Sequence, residues 1–358
     1  MMIKNAQEYG ALNVHMRAQR TEFFSAGTYN LLASASDFDN LHQMLANTKY
    51  NDIIGSEMVK KHPDLIEIDR RLVQNFVDQY NQFRKYIPKR GQSFIAADSK
   101  SYFLNNVKVI LSALHGANRY EEAKGMLLSL TENENIETEH LYKSRDVEDL
   151  ISRLSNEKLR ESLENALGEY RFLDLVYPLI VAVDQYYYGT ICKELTNLKG
   201  EDQLKTKSLF ATRVGLQNIE IILRAKAFST QPGIIKKWLI ATKFCPLRAN
   251  IHEKLITAQD FEHTFQILRD ETTFRTLAIK LLTNLEEGFA PLENYDNYAD
   301  QEIVHIANSI FRGASFNLAI FPAFFILKEI ELRNLRSLIL GVINKRSAND
   351  ILDKIVLV

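Results

Sequence analysis

The chain has 358 residues and a formal net charge of −1, from 44 Lys and Arg against 45 Asp and Glu. This balance argues against nucleic acid as the main partner, because binding to phosphates needs a basic excess, while the 46% hydrophobic content suffices for a large core and excludes a disordered chain. With only 14 Gly and 7 Pro, about half the average share, few turns are expected, which favours long helices over β-sandwiches and glycine-dependent nucleotide folds.

Helical periodicity dominates the chain from its N-terminus. A first helix is predicted around residues 9–24, and another begins at Pro63-Asp64, after which apolar residues recur every three or four positions. Strand and hairpin signals are essentially absent. The predicted loops are short and polar, so none of them isolates an independent domain. These loops are residues 87–92, 131–139, 197–203 and 286–298.

One helical pattern occurs three times, with an asparagine set among apolar residues. The three segments are residues 104–111, 216–223 and 332–339, and their asparagines are Asn106, Asn218 and Asn334. Apolar residues at positions −2, +1 and +5 from each asparagine form one stripe, and position +7 is always small, which predicts close approach of a neighbouring backbone. An unpaired buried amide costs about 1–3 kcal/mol, so we expect each half-buried asparagine to make a hydrogen bond between helices. A binding role is the open alternative.

A second motif repeats in the same rhythm. An acid, an apolar residue and a second acid precede a leucine that lies eight residues after the first acid, and the first acids are Asp37, Asp146 and Asp260. Such acids are typical of helix N-termini, where they satisfy free backbone N–H groups and the helix dipole. Catalysis is improbable for them, because three equivalent positions on three units would not converge on one site.

Together the two motifs predict three homologous helical units of about 110 residues, a period longer than the 20–45 residues of solenoid repeats. The predicted domains are residues 1–130, with the leading helix and unit 1, residues 131–245 for unit 2 and residues 246–358 for unit 3. In the asparagine helices only positions −1 and +2 stay polar, and these differ between units. The residues singled out as possible partner-binding positions are Lys108, Glu220, Arg333 and Arg336.

Motifs that carry chemistry are missing from the sequence. There is no phosphate-binding GxxxxGK(S/T) loop and no GxGxxG, the eight histidines have no ligand spacing, and the two cysteines form no CxxC. We therefore predict no catalytic, cofactor-binding or metal-ligating residue. The longest uncharged apolar run, residues 318–327, is half the length of about 20 residues that a membrane-spanning helix needs. The chain is expected to stay out of the bilayer, although it could sit on its surface.

Several stretches resemble one family, which comprises the d subunit of V-type ATPases and the C subunit of archaeal A-type ATP synthases. They are residues 324–336 near the C-terminus, Tyr9, Arg17 and Arg20 on the first helix, Tyr29-Asn30-Leu31-Leu32, the Asp37 helix, Thr48-Lys49-Tyr50 and residues 102–106. The resemblance implies an all-α fold, with three similar domains around a pseudo-threefold axis in a funnel shape. It also implies a non-catalytic rotor adapter, peripheral on the cytoplasmic face of the membrane, that couples the proteolipid ring to the central stalk.

Two other functions stay open at this point. The chain could be an all-helical scaffold subunit of another multiprotein complex, which would bring neither a proteolipid ring nor a central stalk with it. A helical enzyme would need a pocket where polar groups from several units converge with perturbed pKa values, and the sequence contains no such set.

Overall fold

The computed structural model describes residues 2–54, 64–116, 120–288, 290–313 and 316–358, and these residues form α-helices without any β-strand. The predicted all-α fold is therefore confirmed. The helices are α1 Met2–Arg20, α2 Ala26–Ala33, α3 Phe38–Leu45, α4 Asn51–Ile54, α5 Leu65–Arg84, α6 Lys89–His115, α7 Tyr120–Met126, α8 Glu132–Tyr142, α9 Val147–Arg153, α10 Glu157–Leu173, α11 Tyr177–Asn197, α12 Gly200–Ala227, α13 Pro232–Trp238, α14 Ala249–Thr257, α15 Phe261–Glu271, α16 Arg275–Glu286, α17 Tyr295–Arg312, α18 Ile320–Ile343 and α19 Ala348–Leu352.

After α1, the described helices form three runs of six in chain order, which are α2–α7, α8–α13 and α14–α19. The fifth helix of each run is long, with 27 residues in α6, 28 in α12 and 24 in α18. Each of these long helices carries one of the three repeated asparagines near its middle or in its C-terminal half. A short helix, α7, α13 or α19, then completes the run.

The second helix of each run begins at a repeated aspartate. The side chain of Asp37 accepts a hydrogen bond from the backbone N–H of Asn40 at 2.9 Å, and Asp146 accepts one from Asp149 at 2.8 Å. Asp260 accepts from the N–H of His263 at 2.7 Å. All three aspartates are N-caps, which explains their spacing without any catalytic role.

Three predicted loops are largely helical, because α6 already begins at Lys89, α12 begins at Gly200, and α8 occupies the third. Residues 131–139 lie almost entirely in helix α8, which starts after Thr131 with a capping box. The Glu134 carboxylate accepts hydrogen bonds from both the backbone N–H and the hydroxyl of Thr131, at 3.3 and 2.6 Å. Four glutamates made the segment look like a solvated loop, but the Thr-x-x-Glu spacing of a capping box was readable in the sequence.

The chain divides into two compact units. Unit 1 comprises residues 1–187 and 324–358, so it contains both ends of the chain, and unit 2 comprises residues 188–323. The division into residues 1–130, 131–245 and 246–358 describes the sequence repeat and stays a prediction. No described helix is long and apolar enough to cross a membrane.

In unit 1 the core is aromatic, and the buried carboxylate of Asp98 lies within it. The rings of Tyr80 and Phe325 lie 4.8 Å apart, and Phe76 meets Phe325 edge-on at 5.5 Å. Asp98 accepts hydrogen bonds from the hydroxyls of Tyr80 at 2.6 Å and Tyr187 at 2.8 Å. Burial and the nearby Asp98 charge raise the pKa of Tyr80 well above its ordinary value, so this hydroxyl keeps its proton and remains a donor.

In unit 2, hydrogen bonds to backbone groups hold helix α12 at two places. The hydroxyl of Tyr295 donates to the carbonyl of Leu216 at 2.7 Å. Near the start of α12, the buried carboxylate of Asp202 accepts from the N–H of Leu318 at 2.8 Å. Each bond satisfies a buried polar group whose isolation would cost about 1–3 kcal/mol.

Candidate functional site

Each repeated asparagine binds the backbone of the residue that lies 22 positions further along the chain, an arrangement we call an asparagine bridge. Asn106 accepts from the N–H of Leu128 at 2.9 Å and donates to its carbonyl at 2.9 Å. The corresponding distances are 2.8 and 3.2 Å between Asn218 and Ile240, and 3.0 and 2.7 Å between Asn334 and Val356.

The bridges correct the sequence interpretation of these asparagines in one respect. Their exposed fractions are 0%, 0% and 2%, so they are fully buried, whereas the sequence predicted half-burial. They bind backbone groups of the non-helical segment after α7, α13 or α19, in addition to side chains on other helices, as the sequence predicted. At one of the three small +7 residues, Gly341, the close neighbour is a side chain and not a backbone, because a Cβ there would lie 2.5 Å from Cγ1 of Ile351.

The amide nitrogen of each bridge also approaches a helix that begins a run of six. Asn106 Nδ2 lies 3.4 Å from the Thr138 hydroxyl in α8, and Asn218 Nδ2 lies 3.5 Å from Nε2 of His252 in α14. Asn334 Nδ2 donates to the hydroxyl of Tyr29 in α2 at 3.2 Å. Each bridge therefore joins the end of one run to the beginning of the next, and the last one returns to the first run.

Close to the third bridge lies a buried cluster of charges, which we call the Glu331 cluster. Glu331 is 0% exposed, and its carboxylate accepts from the N–H of Phe24 at 3.0 Å and from the hydroxyl of Tyr50 at 2.6 Å. Lys49 Nζ lies 3.0 Å and Lys328 Nζ 3.5 Å from the same carboxylate. The cluster attaches the segment that follows α1 to helix α18.

The surroundings of the Glu331 cluster change the pKa values of two of its members, Lys328 and Tyr50. Burial and the charge of Lys49 lower the pKa of Lys328 to about 8, although Glu331 opposes this shift. Burial and the Glu331 charge raise the pKa of Tyr50 well above its ordinary value, so Tyr50 remains a donor. With two ammonium groups facing one carboxylate, Lys328 loses its proton more readily than an ordinary lysine.

The Glu331 cluster was not predicted from the sequence, although its residues lie in segments that carry the family resemblance. The available signal was a lysine and a glutamate three residues apart, Lys328 and Glu331, directly after the uncharged apolar start of α18. Charged residues are almost never fully buried unless they are paired. The identity of their partners, Lys49 and Tyr50, could not be read from the sequence, because they lie about 280 residues away.

In the described residues, no group of three or more His, Cys, Asp or Glu is placed to hold a metal ion. The nearest approach to such chemistry surrounds the second bridge, where Cys245 Sγ lies 3.8 Å from Nε2 of His252. Burial raises the pKa of the Cys245 thiol and lowers that of His252. Both shifts favour the neutral forms, which disfavours a thiolate nucleophile at this place.

The sequence of the chain matches a known protein family. Residues 12–354 match the family described as the ATP synthase (C/AC39) subunit. The chain belongs to this family. The A-type ATP synthase C subunit of Methanocaldococcus jannaschii is 18% identical over 98% of this chain and 86% of its own length. The corresponding protein of Thermoplasma acidophilum is 24% identical over 94% and 93%, and that of Methanosphaera stadtmanae is 24% identical over 80% and 73%.

In this C/AC39 family member, at least three of the four residues predicted to bind a partner are engaged within the chain. Lys108 pairs with Asp184, and Arg336 pairs with Asp69. Glu220 accepts from Nε of Arg224 at 2.6 Å. Arg333 is exposed on α18. The contact of these four residues with a partner stays a prediction.

Proposed function

We propose that this chain is the C subunit of an A-type ATP synthase and acts as a rotor adapter between the membrane proteolipid ring and the central stalk. The observation that carries the proposal is its similarity to the C subunits of A-type ATP synthases along nearly the whole of both chains. On this proposal the chain has no catalytic residue, and it is peripheral on the cytoplasmic face of the membrane.

The mechanical demand on such an adapter fits the way the long helices are held. Each ion that crosses the membrane releases about 2.3 kcal/mol per charge per 100 mV, and several ions pass for each ATP. The adapter must carry this load without yielding. The asparagine bridges tie α6, α12 and α18 to segments that follow them, through pairs of buried hydrogen bonds. Buried, fully paired polar groups of this kind resist local opening.

Association with the ring and stalk is the decisive test. A tagged copy of the chain is recovered from its native membranes under mild detergent, and the recovered proteins are identified by mass spectrometry. We expect proteolipid and central stalk subunits with the tagged chain and not with the tag alone. Recovery without either of them contradicts the proposal, and recovery of a different set of proteins supports a scaffold subunit of another complex.

Arg333 is the exposed member of the four predicted positions, so its reversal tests a partner contact. We expect Arg333→Glu to weaken recovery of the stalk subunits. Arg346→Glu, a reversal at another exposed arginine, is the matched control. Equal recovery with both variants would place the contact elsewhere.

A further inference from the structure

A small cavity lies at the corner between α5 and α6. Its volume is about 250 Å³, and it is lined by Arg84, Lys85, Ile87, Gln92 and Ile95. Two of these side chains are cationic, one is an amide, and the two isoleucines are buried. Pockets for drug-sized ligands span about 300–1,000 Å³, so this cavity suits a smaller ligand, with a charged end and an apolar wall beside it.

The chain around the cavity is strongly basic. Residues 84–90 hold four cations and no acid. One of them, Arg90, is already engaged, because its guanidinium pairs with Glu8 at 3.0 Å and donates to the hydroxyl of Tyr9 at 3.1 Å. Arg84, Lys85 and Lys89 make no ion pair with any described residue. Lys85 Nζ lies over the ring of Tyr86, 5.1 Å from its centroid, which leaves its charge uncompensated.

Helix α6 begins at this corner against the usual electrostatic preference. The positive end of the helix dipole favours acids in the first turn, yet α6 has no acid there and instead starts with Lys89 and Arg90. Helix α12, the fifth helix of the next run, follows the preference with Glu201 and Asp202. Departures from such local rules tend to occur at functional sites. Within the cavity itself, Arg84 and Lys85 supply positive potential.

We propose that this cavity binds a phosphate-bearing anion. The Arg84 guanidinium can hold two phosphate oxygens at once, and Lys85 supplies a second charge. The Gln92 amide nitrogen already donates to the Ile87 carbonyl at 3.3 Å, which places its side chain at the rim. Ile87 and Ile95 form the apolar wall against which the carbon skeleton of a phosphate ester would lie. An anionic lipid headgroup and a small soluble phosphate ester share this chemistry.

The proposal rests on the cavity and does not depend on the rotor-adapter role, so a failure of ring association would leave it intact. Binding is measured on the purified full-length chain. One arm titrates inorganic phosphate and glycerol 3-phosphate by calorimetry. The other arm measures co-sedimentation with vesicles of phosphatidylcholine, either alone or mixed with an equal amount of phosphatidylglycerol. Binding in the first arm identifies a soluble source, and binding to the anionic vesicles alone identifies a lipid source.

The variant Arg84→Gln/Lys85→Gln removes both cations of the cavity wall. We expect its affinity for the bound probe to fall about tenfold or more, the loss expected for charge-assisted hydrogen bonds. Lys236→Gln/Lys237→Gln, a pair of adjacent exposed lysines on α13, removes the same net charge and should leave affinity within about twofold.

Absence of binding to every probe overturns the proposal, as does an equal loss in the two double variants, which would indicate attraction by net charge alone. Circular dichroism on thermal unfolding shows whether Arg84→Gln/Lys85→Gln is folded. If it is not, Arg84→Lys keeps the charge and removes only the paired donors of the guanidinium. Unchanged affinity in that variant, with Lys85→Gln also unchanged, overturns the proposal.

Discussion

The second and third asparagine bridges make the same two backbone bonds in different surroundings. At Asn334, the residue three positions earlier is the buried carboxylate Glu331, with two lysines and a tyrosine around it. At Asn218, the corresponding residue is Gly215, and the space beside it is filled by the ring of Phe274. The two backbone hydrogen bonds are thus common to both bridges, while the side chains that surround them differ.

This difference has a physical reason in how the chain is connected. The groups near Asn218 lie within about 60 residues of it, and packing of an aromatic ring against a glycine is enough to hold them. The Glu331 cluster instead joins segments that are 281 and 307 residues apart. The loop-closure entropy of so long a separation opposes the contact, and several charge-assisted bonds offset it. Charge-assisted bonds therefore hold the segment after α1 against α18, whereas close side-chain packing surrounds the second bridge.

The largest expected effect is at Glu331. The change Glu331→Gln leaves the buried Lys328 and the half-buried Lys49 without a counter-charge, and breaking a buried ion pair in this way costs about 3–5 kcal/mol. The free energy of unfolding in urea measures the loss. Glu329→Gln, at an exposed glutamate on the same helix, should change it by less than about 0.5 kcal/mol. Similar values for the two variants would show that the cluster does not stabilise the chain ends.

The bridges themselves come next. Asn→Leu at positions 106, 218 or 334 removes two buried hydrogen bonds and leaves a backbone N–H and carbonyl unpaired, at a cost of about 2–4 kcal/mol. Urea unfolding of the three single variants tests whether the bridge is the common element, because the losses should then be alike. Asn105→Ala, at the exposed neighbour of Asn106, is the control. A negligible loss at Asn218 alone would mean that Cys245 and His252 satisfy the backbone there.

The close packing beside the second bridge is tested at Gly215. A Cβ at this position would lie 2.5 Å from Cζ of Phe274 and 2.8 Å from Cγ of Pro246. We expect Gly215→Ala to lower the melting temperature through overpacking that costs about 1–3 kcal/mol. A glycine with no atom within 4 Å, Gly168 in α10, provides the opposite case. Gly168→Ala should stabilise by about 0.5–1 kcal/mol through helix propensity, and destabilisation by both changes would point to a general intolerance of alanine.

The smallest expected effect is a pH dependence carried by Lys328. Its pKa is about 8 in the folded chain, below the ordinary value of 10.5, so between these values the unfolded chain binds a proton that the folded chain does not. Stability should therefore rise by about 1–2 kcal/mol from about pH 8 to about pH 10. At still higher pH the raised pKa of Tyr50 acts in the opposite direction.

Urea unfolding at several pH values compares the wild type with Lys328→Met. The stability of Lys328→Met should not rise across the same pH range, because methionine has no ionisable group. A rise that persists in Lys328→Met would assign the pH dependence to another group.

Some features of the fold and of the bridges were readable without coordinates. The low Gly and Pro content predicted the all-α fold, and the aspartate motif predicted the N-caps at Asp37, Asp146 and Asp260. The three asparagines were recognised by their neighbours and spacing. The partners of the asparagines were not recognised. Each partner is a backbone group 22 residues later in the chain, and a backbone group has no signature in the sequence. Helix α8 was predicted to be a loop because its glutamates make the segment polar, although the Thr-x-x-Glu spacing of a capping box indicates a helix start.

By itself, the sequence determined the features that depend on near neighbours in the chain: helix type, the caps, the repeat of the asparagine and the family resemblance. Only the tertiary structure decided which groups 22 to 307 residues apart bind each other, and hence where the bridges close and why Glu331 can be buried. The reason is that periodicity and capping are set by residues within one or two turns, whereas the free energy of a buried polar group depends on whichever distant partner the fold brings to it.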